Sequence, residues 1–240
     1  VSSSSVVITA TFLAEHRSAC QAENTVTSTV PKKVATSEVV FKANWKLVLE
    51  NFLECYHCAT AHLESAEVVD VWGMYGSMGD EWEVGEYIPG ACNLLKEGMK
   101  TWAPNGAYVN KKFGEFDRGV EPEQGFAAAF LTTPAVWWLC FHPDFGATLH
   151  LEPVSVEETR WGTNWWVNKD AVEGEDYDVD EMAMLLNIVN EQDRKICDGT
   201  QRGMRSRRFS PGPKQREARS SATRHHQHLL AHDGRGVLRW

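Results

Sequence analysis

The chain has 240 residues, 42% hydrophobic and 24% charged, enough apolar material for one large domain or two small ones. A formal net charge of −9 argues against a general nucleic-acid binder, and the short basic run Arg202, Arg205, Arg207 and Arg208 reads as a solvated face rather than a phosphate groove. No apolar run reaches the roughly 18 residues that a membrane span needs, so no membrane association is expected.

Residues 1–37 are Ser-, Thr- and Val-rich with little periodicity and are left unassigned, with Pro31-Lys32-Lys33 punctuating the segment. Val1 to Leu13 is apolar but has no basic residues before it, so it is not read as a secretory signal. The chain has no initiator Met and is read as a fragment or a processed chain. Its six cysteines are scattered through a domain large enough not to need staples, which favours reduced thiols and a cytoplasmic location.

Val39 to Lys42 reads as a short strand, and an amphipathic helix follows from Asn44 to Cys58. Trp45, Val48, Leu49, Phe52, Leu53 and Tyr56 share one helical face. Glu50, Glu54 and His57 form a second stripe, and His62 comes five residues after His57. Two ligands on a regular helix prefer a four-residue step, so this spacing asks for a helix end or a π-type turn between the two histidines.

Val68 to Tyr75 and Glu81 to Ile88 read as strands, Pro104-Asn105-Gly106 as a turn, and the acidic Gly114 to Gly125 stretch as a surface loop. Three strands then follow with short connections, Ala135 to His142, Phe145 to Pro153 and Arg160 to Asn168, which predicts an antiparallel meander. His142-Pro143-Asp144 turns the chain between the first two. The ten tryptophans suit either an aromatic-lined cavity or a thick core.

A long helix is predicted from about Asp178 to Arg202, with Met182, Leu185, Leu186, Val189, Ile196 and Cys197 on its buried stripe. Asp193 falls inside that stripe and Asp198 on the opposite face. A buried carboxylate is costly unless paired or bound to a metal, which selects Asp193 over Asp198 and leaves a buried ion pair as the alternative. The His- and Arg-rich tail to Trp240 reads as a solvated helix.

His57, His62 and Asp193 together supply two imidazoles and a carboxylate, a set that suits non-haem Fe(II) with open positions; zinc could use the same ligands. Cys55-Tyr56-His57-Cys58 also permits a thioredoxin-type pair, a c-type haem site or a structural zinc site. The pair ends a helix instead of opening one, Ala59 stands where haem attachment needs His, and no second ligand pair is present.

Asn44-Trp45-Lys46, Glu50-Asn51-Phe52, Glu54-Cys55-Tyr56-His57-Cys58 and His62 resemble the catalytic-domain signature of Rieske non-haem iron oxygenases, the alpha subunits of ring-hydroxylating oxygenases. Gln192-Asp193 with Gln201, Gly203, Ser206, Phe209 and Gly212 resembles the family's second signature, and the likeness covers roughly residues 38–230. It implies an α+β helix-grip fold, a curved antiparallel sheet around a long C-terminal helix, with residues 38–240 as the oxygenase domain. It implies a mononuclear Fe(II) held by His57, His62 and Asp193, and Glu54 as the acidic bridge to a Rieske centre. Glu at that position looks more like the choline- and carnitine-type monooxygenases.

The implied chemistry is insertion of oxygen from O2 into an aromatic or other small organic substrate. Electrons would come from a reductase or ferredoxin through a 2Fe-2S cluster, in a homotrimer. Rieske clusters in this family take a Cys-x-His and a Cys-x-x-His pair, and no Cys-x-x-His occurs here. The expectation is therefore a catalytic domain separated from its Rieske domain. Because a helix-grip scaffold also serves as a non-catalytic carrier of hydrophobic ligands, that is the alternative function.

Overall fold

The computed structural model describes residues 31–52, 57–70, 90–113, 126–132 and 137–210. Glu54, Cys55, the expected strand Glu81 to Ile88, the Gly114 to Gly125 loop and the tail beyond Ser210 lie outside the described residues.

The elements run β1 (Pro31–Phe41), α1 (Trp45–Phe52), α2 (Cys58–Ala61), α3 (Leu63–Ala66), β2 (Gly90–Leu94), a 3-10 turn (Pro104–Gly106), β3 (Phe126–Thr132), β4 (Trp137–Phe141), β5 (Gly146–Ser155), β6 (Glu158–Asn168) and α4 (Val179–Met204). The six strands form one sheet in the order β1-β6-β5-β4-β3-β2, every pair antiparallel. This is an α+β architecture in which the expected meander forms β4, β5 and β6.

β1 is longer than expected. It pairs with β6 from Pro31 to Phe41, with one register shift between Lys33 and Ala35, so the boundary drawn between residues 37 and 38 falls inside a paired strand. Its polar residues hid it. Thr36 and Lys33 do not break the strand but reach across to the Asn164 side-chain oxygen at 3.0 and 3.3 Å. Pro31 sits at the first strand position, where its missing N–H is tolerated.

One face of the sheet carries Ala147, Leu149, Leu151, Trp161, Trp165 and Val167, alternate residues of β5 and β6. The apolar face of α1 and the stripe of α4 pack on it. Val48 and Leu49 are buried there, and Phe52 stacks on Trp161 with ring centroids 4.0 Å apart and planes inclined by 12°. Such a pair adds about 0.5–1.5 kcal/mol beyond the area it buries.

α4 starts as its sequence predicts. Asp178 caps it by accepting the Glu181 N–H at 3.0 Å. Asp198, however, is buried and not on a solvated face. α4 packs against β1, α1 and α3, so more than one side of it is covered. One Asp198 oxygen accepts the Lys42 backbone N–H at 2.7 Å, and the other pairs with Arg194 at 2.9 Å. Asp198 thus ties the β1–α1 junction to α4, pairing with Arg194 on its own helix.

The stretch expected as a strand from Val68 is a turn followed by a single bridge. Val68 and Val69 both donate backbone N–H bonds to Ser65, and only Val69 bridges, to Leu95. Residues 71–75 lie outside the described residues. Pro104-Asn105-Gly106 turns as expected, with Asn105 and Gly106 both at φ 62°. His142-Pro143-Asp144 also turns as expected, and its Asp144 is wholly buried. The Asp144 carboxylate accepts from the Thr101 hydroxyl at 2.6 Å and from the Val109 and Asn110 N–H groups at 3.0 and 3.2 Å. Burial raises the Asp144 carboxyl above its ordinary value against the pull of these donors. Among the described residues no helix is long and apolar enough to cross a membrane.

Candidate metal centre

Two segments far apart in the chain meet at Asp193. The first is the run of short helices after α1. His57 is the N-cap residue of α2, and His62 stands between α2 and α3 with φ −116° and ψ 61°. The helix break that the five-residue spacing demanded is therefore at His62 itself. The break turns both rings toward α4 and leaves their centroids 5.1 Å apart with planes inclined by 78°.

The second segment is the buried stripe of α4. Asp193 is 2% exposed, and its Oδ1 lies 3.1 Å from His57 Nε2 and 3.2 Å from His62 Nε2. Asn51 Nδ2 on α1 donates to the same oxygen at 2.8 Å. Burial pushes the Asp193 carboxyl upward, but the His57 and His62 imidazoles and the Asn51 amide outweigh it, so its pKa falls below the ordinary value. The carboxylate is anionic at neutral pH.

His62 carries the most informative atom. Its Nδ1 lies 2.8 Å from Gln192 Oε1, and Gln192 Nε2 donates to Glu64 Oε2 at 2.8 Å. Gln192 Oε1 can only accept, so Nδ1 carries a ring hydrogen and Nε2 is the nitrogen turned toward Asp193. That Nε2 is buried and, despite the 3.2 Å approach of Asp193, has no hydrogen bond of acceptable geometry. A buried acceptor aimed at a carboxylate oxygen is uncompensated unless a cation lies between them.

The spacing fits such a cation. Bonds of about 2.1 Å to a divalent first-row metal, set at right angles, place donor atoms about 3 Å apart. The two imidazole-to-carboxylate separations are 3.1 and 3.2 Å. The donor set thus fits a metal held on one face. Cys58 adds a fourth donor close by, since its sulfur and ring nitrogens of His57 and His62 lie within 4.8 Å of one another.

The sequence-selected residues His57, His62 and Asp193 all converge. Glu50 does not join them; it is exposed on α1, while its neighbour Asn51 faces the site. Glu54 lies outside the described residues. Asn51 and Gln192 entered the sequence reading only as members of the two signatures, with no role assigned, and Glu64 did not enter it at all.

The structure thus packs a long helix on an antiparallel sheet and brings two histidines and a carboxylate together between helices. Residues 28–232 match the family model described as the ring hydroxylating alpha subunit, catalytic domain, and the chain belongs to that family. It is 32% identical over 206 residues to the glycine betaine monooxygenase oxygenase subunit of Pseudomonas aeruginosa, a match covering 75% of this chain and 47% of that protein. It is 25% identical over 169 residues to the carnitine monooxygenase oxygenase subunit of Acinetobacter pittii, covering 70% and 39%. The chain thus spans about half the length of the curated relatives it matches. Among solved structures, a quaternary ammonium Rieske monooxygenase superposes with a TM-score of 0.57 at 18% identity, covering 92% of this chain and 54% of that one.

Proposed function

We propose that this chain carries the oxygen-activating centre of a Rieske-type oxygenase, with mononuclear Fe(II) held by His57, His62 and Asp193. The observation that carries the reading is the convergence of both imidazole Nε2 atoms on one Asp193 oxygen at 3.1 and 3.2 Å. When bound, the iron supplies the redox chemistry by which an oxygen atom from O2 enters a small organic substrate.

The protein's own residues set the stage for that chemistry. His57 and His62 offer imidazole nitrogens, and Asp193 offers one negative charge. Bound iron would be held by these three ligands, and its remaining positions would serve substrate and O2. Asn51 holds the carboxylate oxygen in place by its 2.8 Å hydrogen bond. Domain packing supports the helix-grip reading, since α4 packs on β1 and shares a core cluster with β5 and β6 of the antiparallel sheet. An aromatic-lined cavity over the iron, built from the strands at residues 135–142 and 160–168, belongs to the same proposal. Glu54 is proposed as the bridge to a 2Fe-2S Rieske cluster, fed by a reductase or ferredoxin in a cytoplasmic homotrimer.

The names of the relatives place quaternary ammonium compounds first in the substrate panel. In such compounds an oxidised N-methyl group leaves as formaldehyde, so the product is readily measured. The carrier reading gives the converged ligands no role. The test is anaerobic reconstitution with Fe(II) followed by metal analysis. About one iron per chain is expected for a single triad, lost in His57→Ala and in Asp193→Ala. Stoichiometric zinc that resists both substitutions and disappears in Cys58→Ala overturns the assignment.

A further inference from the structure

We infer that Glu64 and Gln192 are positioning residues that fix which nitrogen of His62 is available to a metal. The inference rests on the iron-site reading for its purpose but not for its geometry. Three groups form a polar chain from solvent to the buried ring. The exposed Glu64 carboxylate accepts from Gln192 Nε2 at 2.8 Å, and Gln192 Oε1 accepts from His62 Nδ1 at 2.8 Å. Each link dictates the next. A carboxylate is acceptor-only, so it must face the amide's NH2 end. The amide's oxygen is then turned to the ring, and the ring's hydrogen must sit on Nδ1. That leaves Nε2 as the nitrogen open to a metal, and it is the buried nitrogen 3.2 Å from Asp193 without a hydrogen bond.

Glu64 therefore acts through two intermediaries. Reversing its charge should reverse the whole chain. With a lysine at position 64, the amide oxygen is drawn outward to the ammonium and the NH2 end faces the ring. His62 must then accept at Nδ1 and carry its hydrogen on Nε2, which blocks the metal-facing lone pair. An outer partner of this kind is typically worth 10–100-fold in metal affinity.

The experiment uses the full chain with Co(II) as probe, in wild type, Glu64→Lys and the double variant Glu64→Lys with Gln192→Glu. Nitrogen NMR of the metal-free protein reads the His62 tautomer, its signals assigned by their absence in His62→Ala. Optical titration reads the Co(II) dissociation constant. Glu64 is exposed on a short helix, so its substitution leaves the packed core untouched. Glu64→Lys is expected to move the hydrogen from Nδ1 to Nε2 and to weaken Co(II) by 10–100-fold. The double variant restores a carboxylate acceptor beside Nδ1 and a partner for the lysine, and both readouts should return. A Glu64→Lys protein that keeps the hydrogen on Nδ1 overturns the inference, as does a double variant that stays weak. Co(II) binding indifferent to Asp193→Ala would instead remove the iron reading, and the tautomer measurement would still decide the role of Glu64.

Discussion

Asn51 Nδ2 donates at 2.8 Å to the same Asp193 oxygen that both imidazoles approach, so one helix of the first signature holds the ligand carried by the second. The two imidazoles that approach this oxygen belong to His57 and His62, which flank the short helix α2. Asn51 is thus the contact that sets the carboxylate's rotamer without competing for the metal. Replacing it by Ala leaves a buried anion one donor short. A hydrogen bond to a charged group is worth about 1.5–3 kcal/mol, so the metal-free Asn51→Ala protein should melt earlier. Its Co(II) affinity should drop about 10–100-fold, read by optical titration.

The two buried aspartates of α4 separate metal binding from folding. Asp193 faces two imidazoles, whereas Asp198 takes the Lys42 N–H and the Arg194 guanidinium. Asp198→Asn removes the charge and weakens both contacts. It should lower stability by about 1–3 kcal/mol while leaving one metal per chain. Asp193→Asn should abolish metal binding, and because the groups around this carboxylate outweigh its burial, it should also cost some metal-free stability at neutral pH. Chemical denaturation beside metal analysis separates the two; metal loss in Asp198→Asn would show that the ligands are wrongly divided.

What the sequence carried and what it hid follow from period and partners. The face of α1 and the stripe of α4 were legible because apolar residues at helical spacing have few alternatives. His57, His62 and Asp193 were legible because a five-residue step and a carboxylate in an apolar stripe are both anomalies that need a reason. β1 was hidden, since an edge strand whose polar residues bond across to Asn164 shows no apolar alternation. Asp198 was misplaced because a helical wheel shows angle but not how many neighbours a helix has. Glu64 and Gln192 were hidden for a similar reason, being 128 positions apart and meaningful only together.

His142 gives a pH dependence with a definite sign. Its ring is fully buried, stacked on Phe145 with centroids 4.3 Å apart, and its Nδ1 accepts the Trp102 N–H at 3.4 Å. Burial pushes its pKa down to about 3. An unfolded histidine titrates near 6.5. Between these values the unfolded chain binds the extra proton, so stability is complete above about pH 6.5 and falls with acidification. The slope from this group is at most about 1.4 kcal/mol per pH unit. Asp144 works in the opposite direction because burial raises its carboxyl, but it is common to both proteins in the comparison. His142→Asn keeps an acceptor for Trp102 and removes the ring. Its stability should vary less between pH 6.5 and 4 than that of wild type, as measured by denaturant titration. Parallel curves would place the acid sensitivity elsewhere.

The last prediction concerns electrons. Oxygen chemistry at Fe(II) in this family draws electrons singly from a Rieske cluster, and that cluster takes a Cys-x-His and a Cys-x-x-His pair. The 240 residues contain Cys55-Tyr56-His57 and Cys140-Phe141-His142 but no Cys-x-x-His. His57 faces Asp193, and Cys140 is buried, its thiol pushed up to about 12 by burial, which suits a packed neutral thiol and not a cluster ligand. The 240-residue polypeptide should therefore bind iron yet fail to turn over a quaternary ammonium substrate with NAD(P)H and a reductase. Adding a Rieske-bearing protein, or joining a Rieske domain upstream, should start formaldehyde release. Glu54→Gln should abolish that rescue while iron content stays at about one per chain, as expected for a bridge that touches the electron path and not the ligand set. Sustained turnover by the polypeptide with reductase alone would show that its electrons take another route. Equal rescue in Glu54→Gln would leave the iron site standing and remove only the bridge.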